Sequence, residues 1–283
     1  MRQLQDIADE RDNTDTIVQL TNAFQGLASM QIAKTKTQVI RSQAFFDDLW
    51  RIYSQLRVDS LFRFGRQTAE AVDPKHLYIV ITATGGFSGD IDERVVGSML
   101  KNYDPAKNDI IVIGHHGSVL LEQRSISYKK YFDLPKSDIS INVEPLVRET
   151  RAYRGTTVFY QTYKTLMSQE INSLELTKAI QALGARADQS SETISQLNYI
   201  FEPSMFAVVA HLERSMLQIT LSQLIFDSKL AQYASRFRAM SAAHDRSDEA
   251  LTDLKMVYNR TRRGLRDKQL KEIVVGLKKA NEA

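Results

Sequence analysis

Runs of glycine, acidic residues and histidine are the parts of this sequence whose residue types could carry out chemistry. The segment "ATGGFSGDID" (Ala83 to Asp92) follows an apolar run, where a glycine-rich turn can bind phosphate. It lacks the G-x-G-x-x-G order of a dinucleotide fingerprint, and no Gly-Lys-Ser/Thr follows as in a Walker loop. We therefore expect an ordinary turn containing Gly86 and Gly89, with a phosphate-binding loop as the alternative.

Nearby carboxylates and histidines are candidate metal ligands. Asp90, Asp92 and Glu93 lack the spacing of a calcium loop with its closing Glu, so we interpret them as surface carboxylates or a helix cap. His115 and His116 are adjacent and therefore point in different directions, and the sequence places no third ligand. A loop role is the favoured interpretation, and we expect no metal site and no cofactor.

The sequence also offers no nucleophile in a recognisable setting. "GFSGD" does not have the G-x-S-x-G order of a nucleophile elbow. The absence of cysteine excludes thiolate chemistry, disulfides and cysteine-ligated metals. We expect no catalytic site in this chain.

The elements that position these residues are predicted strands in the middle of the chain. "LYIVIT" (Leu77 to Thr82) and "DIIVIG" (Asp109 to Gly114) are continuous apolar runs, which is typical of parallel strands buried on both faces. "DERVVGSMLKNY" between them can form the crossover helix. The pattern predicts a Rossmann-like α/β domain.

Further along, the pattern predicts more of this domain. "TTVFYQTY" (Thr156 to Tyr163) is a third strand, and "LNYIFEP" (Leu197 to Pro203) a last one. "SQEINSLELTKAIQAL" (168–183) is interpreted as a helix or surface segment, and "GARADQSSET" (184–193) as a loop.

Proline and glycine divide the chain into three segments. All five prolines lie between Pro74 and Pro203, together with eight of the twelve glycines. Helix interiors exclude proline because it removes a hydrogen bond and clashes with the preceding turn. We predict an N-terminal helix in 1–73, an α/β domain in 74–203 and a C-terminal helix in 204–283.

The two predicted helices carry coiled-coil spacing. Apolar residues step by three or four, or by seven, along two stripes: Ile17, Leu20, Phe24 and Leu27, and then Leu251, Leu254, Tyr258 and Leu265. An antiparallel coiled coil follows, with a helical bundle joined by ordinary loops as the alternative.

Charge and hydropathy limit the function classes. The net charge of +3 is too small to indicate a nucleic-acid binder, and no apolar run approaches the length of a transmembrane span. The N-terminus has no apolar core and is not a signal peptide. Nine of the 29 residues from Lys255 onward are Lys or Arg, which fits a solvated helix face, a nucleic-acid arm or an arm inserted into an acidic protein.

Three separated motifs resemble the gamma subunit family of F-type ATP synthases. "LQDI" and "QLTNAFQGLASMQIAK" resemble the family's L-K-D/E-I and K-I-T-x-A-M-x-x-V-A-A-x-K/R, and "ITATGGFSGDID" resembles I-T-S-D-R-G-L-C-G-G-L-N without gaps. "SRFRAMSAAHDRSDEALTDLKMVYNRTRRGLRDKQLKEIVVG" resembles the family's C-terminal stretch, and "FEPSMF" its Y-E-P segment.

The resemblance implies a central rotor shaft: an antiparallel coiled coil with an α/β domain at its base. The implied partners are the hexamer of alpha and beta subunits, the epsilon subunit and the c-ring, with no nucleic acid and no transmembrane span of its own. It implies a peripheral position on the cytoplasmic face of the cell membrane. The residues expected to contact the hexamer are Thr21, Phe24, Arg260, Arg262, Arg263, Arg266, Leu270, Ile273, Val274 and Leu277.

Departures from the family pattern lie at contact positions. The family's I-T-x-E reads Arg266 to Gln269 here, its Arg-Gln pair is Arg262 and Arg263, and its Asp-Arg after the first strand is Thr84 and Gly85. These changes suit a divergent gamma subunit with co-adapted partners. The alternatives are a gamma-like shaft in a specialised rotary ATPase, a small-molecule-binding α/β domain and a nucleic-acid-binding coiled coil.

Overall fold

Two long helices flank an α/β region. A computed structural model of the chain describes residues 4–55, 73–135, 141–176, 202 and 205–281. The long helices are α1 (Leu4–Gln55) and α5 (Met205–Asn281). Between them follow β1 (Asp73–Ile81), α2 (Ile91–Leu100), β2 (Asn108–Ile113), α3 (His115–Gln123), β3 (Lys130–Phe132), α4 (Glu144–Arg151), β4 (Tyr153–Tyr163) and β5 (Gln169–Glu175). The segment boundaries at 73 and 203 stay predictions, because 56–72 and 203–204 lie outside the described residues.

The strands form one sheet in the order β3-β2-β1-β4-β5. β1 pairs in parallel with both β2 and β4, and β2 pairs in parallel with β3. The two continuous apolar runs lie in β1 and β2, the third predicted strand lies in β4, and α2 is the crossover helix. The predicted parallel sheet is therefore confirmed.

The segment after β4 corrects the prediction of a helix or surface segment. Its residues Gln169–Glu175 form β5, which pairs antiparallel with β4 from Tyr163↔Gln169 onward. A short turn joins the strands, with Thr165 N–H donating to the Ser168 carbonyl at 3.0 Å. The strand conformation of this segment depends on pairing with β4, a tertiary contact that its own sequence does not indicate. Residues 177–183, the loop 184–193 and the predicted strand 197–203, except Glu202, lie outside the described residues.

Both faces of the sheet are covered, as the continuous apolar runs predicted. One face packs on α4 and α5 through a cluster that includes Ile79, Ile111, Val147, Leu221 and Leu224. The other packs on α2 and α3 through Val80, Val112, Val95, Met99 and Leu121. Burial on both sides removes the alternation that a half-exposed strand would show.

The chain divides into two compact units, Ala28–Arg236 and a smaller one formed by Met1–Leu27 with Phe237–Ala283. In the smaller unit the two helix ends run antiparallel. The Arg11 guanidinium lies 4.8 Å from the centre of the Tyr258 ring, and His244 Nδ1 lies 3.3 Å from the Val18 carbonyl oxygen. The predicted antiparallel pairing is confirmed.

The prediction of which α1 residues form the coiled-coil seam is wrong. Ile17, Leu20, Phe24 and Leu27 are exposed, whereas Ile7, Thr21 and Ala28 are buried. Positions 18, 21, 25 and 28 have the same three-four-three steps one residue further on, and their smaller side chains allow closer approach of a neighbouring helix. On α5, Leu251 is buried as predicted, while Leu265 is exposed.

Asp227 in α5 is expected to cost stability at neutral pH. Burial raises the pKa of its carboxyl from 3.8 to about 6, and no hydrogen bond or ion pair to it is found among the described residues. A raised carboxyl pKa means that stability falls as pH rises from 4 to above 6. Asp227→Asn should therefore stabilise the chain at pH 8 by up to about 3 kcal/mol, and the gain should shrink at pH 5. Urea unfolding of both proteins at the two pH values measures this, and a gain independent of pH would contradict it.

Candidate functional site

A buried carboxylate lies at the edge of the sheet where the parallel strands end. Asp92, in the first turn of α2, is 3% exposed. Its Oδ1 accepts the backbone N–H of Ala83 and Nε2–H of Gln161, both at 3.1 Å. Its Oδ2 lies 2.9 Å from His116 Nδ1 and 3.4 Å from Ser88 Oγ. The interpretation of Asp92 as a surface carboxylate is therefore wrong, since it is the centre of a polar network.

The two histidines begin helix α3, so their interpretation as loop residues is also wrong. Gly114 precedes the helix with φ +96°, and a Cβ there would lie 2.0 Å from the Thr82 carbonyl oxygen. The Thr82 hydroxyl donates to the Ile113 carbonyl at 3.0 Å and accepts the Gly117 N–H at 2.9 Å. Because the segments that follow β1 and β2 approach this closely, His116 at the start of α3 lies beside Asp92. His115 is exposed.

The loop after β1 is in contact with helix α5. Ser235 Oγ donates to the Ser88 carbonyl at 2.7 Å, and Arg236 donates to the carbonyls of Gly86 at 3.0 Å and Gly85 at 3.2 Å. Gly89, the other glycine of the predicted turn, has φ +68°, a conformation that favours glycine. The carbonyl groups of this glycine-rich turn thus accept hydrogen bonds from a helix of the same chain.

The His116–Asp92 pair makes stability depend on pH. The hydrogen bond to Asp92 raises the pKa of His116, against the lowering effects of burial and of Arg236. For a histidine of raised pKa, the stabilisation is present below the unfolded-state pKa and is lost as pH rises through the folded-state pKa. His116→Gln should therefore reduce the thermal midpoint more at pH 5.5, one unit below the ordinary histidine pKa of 6.5, than at pH 8.5, two units above it. Equal losses at both pH values would contradict this.

The basic residues that the sequence singled out lie on the surface of α5. Arg260, Arg262, Arg263 and Arg266 are exposed. The apolar side chains that follow are exposed as well, with Leu270 at 60%, alongside Ile273, Val274 and Leu277. A helix that leaves apolar side chains exposed over several turns presents a surface suited to a protein partner.

The α1 end of the smaller unit adds a second exposed apolar stripe. Phe24 belongs to it, together with Ile17, Leu20 and Leu27. Thr21 lies one position away, is only 7% exposed, and donates its hydroxyl to the Ile17 and Val18 carbonyls of its own helix. The predicted roles of Thr21 and Phe24 in partner binding stay predictions.

Asp92 and His116 were singled out in the sequence, whereas their neighbour Gln161 was not. Gln161 interrupts the apolar run "TVFYQTY", and Ser228, Gln232 and Ser235 interrupt "LIFDSKLAQYAS" in the same way. Because buried polar side chains are nearly always hydrogen-bonded, such interruptions indicate that a polar partner is needed. They do not indicate which residue the partner is.

The part of the chain that the structure describes holds neither a metal-binding cluster nor a membrane-spanning helix. No group of three or more His, Asp or Glu side chains in this part of the chain is arranged to hold a metal ion. None of its helices combines the length and apolarity that crossing a membrane requires.

Known proteins resemble the chain over nearly its whole length. It is 24% identical over 292 residues to the ATP synthase gamma chain of Christiangramia forsetii, covering 99% of this chain and 100% of the relative. It is 27% identical over 285 residues to the ATP synthase gamma chain of Streptococcus mutans, covering 93% and 94%.

The fold is also found among solved structures. A chain of the cryo-EM structure of the Euglena gracilis mitochondrial ATP synthase, comprising OSCP, F1 and c-ring in rotational state 3, matches with a TM-score of 0.66 at 17% identity. The match covers 97% of this chain and 93% of that one. The sequence model of the ATP synthase family matches residues 3–279. The chain described here belongs to the ATP synthase gamma-chain family.

Proposed function

We propose that the chain is the central shaft of an F-type ATP synthase, transmitting rotation between the membrane c-ring and the catalytic hexamer of alpha and beta subunits. The observation that carries this proposal is the family match over residues 3–279. The long helices α1 and α5 around an α/β sheet are the fold expected of such a shaft. The chain itself carries no catalysis in this proposal.

The exposed end of α5 is the proposed contact with the hexamer. Its four arginines supply positive charge that can steer and register the shaft against acidic loops. Leu270, Ile273, Val274 and Leu277 supply apolar area that is exposed in the chain alone and would be buried inside a ring. Phe24 and its neighbouring apolar residues on α1 offer a second contact of the same kind.

The proposed location is the cytoplasmic face of the cell membrane, as a peripheral subunit of the complex. The epsilon subunit and the c-ring are the proposed partners of the α/β region. The Euglena structure, which comprises F1 and the c-ring, supports an assembly of this composition. The matches described above give no support to the alternative, a shaft in a motor not devoted to ATP synthesis.

Affinity purification from detergent-solubilised membranes tests the proposal. The tagged chain should recover alpha, beta and epsilon subunits together with the c-ring, identified by mass spectrometry, and an untagged strain provides the control. Recovery of hexamer-like subunits without any c-ring would favour the specialised motor. Recovery of neither would contradict the shaft function.

A further inference from the structure

Within the larger unit, one stretch of α5, residues 228–236, makes directional polar contacts with the sheet and its loops. The Ser228 hydroxyl donates to the side-chain Oε1 of Gln161, and Gln232 Nε2 donates to Ser228 Oγ at 3.0 Å. Two turns from Ser228, Ser235 and Arg236 donate to carbonyls of the loop after β1. The stretch is therefore tied both to strand β4 and to the loop at the end of β1.

Small side chains bring this stretch of the helix close to its neighbours. Ser228, Ala231, Ala234 and Ser235 are all completely buried. Because none of them extends beyond Cβ by more than one atom, the backbone of α5 approaches the residues beneath it closely. A close, tightly packed contact leaves little room for the helix to turn about its axis.

Asp92 sets the direction of each hydrogen bond in the network. An ionised carboxylate only accepts, so Gln161 must turn its Nε2 toward Asp92. Its Oε1 then remains to accept the Ser228 hydroxyl, and Ser228 Oγ accepts Gln232. Gln161 is 0% exposed, so both contacts are shielded from bulk solvent. Hydrogen bonds thereby connect Asp92 of α2 to Ser228 of α5 through Gln161 of β4.

The polar stretch differs from the apolar contacts that precede it on the same helix. Leu221, Leu224 and Ile225 pack into the cluster on the α4 side of the sheet. Apolar contacts are non-directional, whereas hydrogen bonds weaken steeply when their angle changes. A torque about the axis of α5 displaces side chains sideways, so the hydrogen bonds of residues 228–236 add a directional restraint to the packing.

We propose that residues 228–236 of α5, with Gln161 and Asp92, form the joint that passes torque between α5 and the sheet. Asp92, Gln161 and Ser228 are positioning residues that keep α5 in one angular register on the sheet. The inference rests on the proposed shaft function, since only a rotating shaft bears such a load.

Variants in the joint test the proposal in the assembled ATP synthase in membrane vesicles. Ser228→Ala removes the hydrogen bonds of Ser228 with Gln161 and Gln232. Gln161→Met removes those of Gln161 with Asp92 and Ser228. Each replacement keeps a similar side-chain volume. Ser118→Ala is the control, since Ser118 is also buried, at 5% exposure against 0% for Ser228, but donates to the His115 carbonyl at 2.8 Å within its own helix. The measured quantity is the ion gradient built per ATP hydrolysed. It should fall in the joint variants, because α5 then slips against the sheet under load, and stay unchanged in Ser118→Ala.

The outcomes separate the joint from mere structural support. A structural role alone would lower the amount of assembled complex, and gradient and hydrolysis in proportion, leaving their ratio unchanged. An unchanged ratio in assembled Ser228→Ala complexes overturns the joint while the shaft function stands. Failure of the wild-type chain to co-purify with alpha and beta subunits would instead overturn the shaft function itself.

Discussion

Replacement of Asp92 by alanine is expected to destabilise the folded chain by about 3–5 kcal/mol, because two buried donors left without an acceptor cost about 1–3 kcal/mol each. The loss would leave the buried Ala83 N–H and Gln161 amide unpaired, and would also remove the partner of His116, whose side chain is 32% exposed. Urea unfolding followed by circular dichroism measures the change. The effect is large because one side chain satisfies groups from the loop after β1, from α3 and from β4.

Two variants make this result interpretable. Asp90→Ala changes an exposed carboxylate two residues away and should alter the free energy of unfolding by less than about 1 kcal/mol. Asp92→Asn keeps the volume and one acceptor oxygen, so an intermediate loss of about 1–3 kcal/mol is expected. If Asp92→Ala destabilised no more than Asp90→Ala, the network would not hold the sheet edge as described.

In contrast to Asp92→Ala, deletion of residues 264–283 should have a small effect on folding and a large effect on activity. The side chains of this stretch from Gly264 to Leu277 are exposed, so the free energy of unfolding should change little. Coupled ATP synthesis should fall at least about tenfold, because losing even one buried apolar anchor at an interface costs on the order of 2 kcal/mol. Synthesis and hydrolysis rates in vesicles measure this.

A variant of full length separates the loss of apolar contacts from the loss of length. Serine at the four apolar positions Leu270, Ile273, Val274 and Leu277 should reproduce most of the deletion's effect on coupling. Full ATPase activity with full coupling after the deletion would count against placing this end of α5 inside the hexamer.

The parallel strands were predictable from the sequence because burial on both faces produces continuous apolar runs. "LYIVIT" and "DIIVIG" contain no alternation, and the helix between them fits the crossover that a parallel pair requires. Strand β5 was not predictable in the same way. Its residues "QEINSLE" alternate only weakly, and pairing with β4 decides their conformation.

The coiled-coil seam shows how a correct period can give a wrong face. Ile17, Leu20, Phe24 and Leu27 have the right spacing and the larger apolar side chains, but the buried stripe lies one residue further on at Thr21 and Ala28. Hydrophobicity predicts which stripe prefers burial, whereas close helix packing rewards small side chains. The exposed stripe then remains for a partner, and an isolated sequence does not distinguish burial within a chain from burial in a complex.

The polar network depends on tertiary contacts that no local pattern encodes. Asp92, Gln161 and Ser228 are far apart in sequence and meet only because α2, β4 and α5 are adjacent in the fold. Each residue alone is compatible with a surface position, as the interpretation of Asp92 showed. The family resemblance predicted the fold and the function, but not these three residues.

Rotation of the chain inside its hexamer is the central claim, and a single-molecule assay tests it most directly. The chain would be reconstituted with alpha and beta subunits fixed to a surface, with a bead attached to an engineered cysteine in the α/β region. Unidirectional rotation on addition of ATP, absent without ATP, is the result predicted here. A complex that hydrolyses ATP while the attached bead shows only Brownian motion would contradict it.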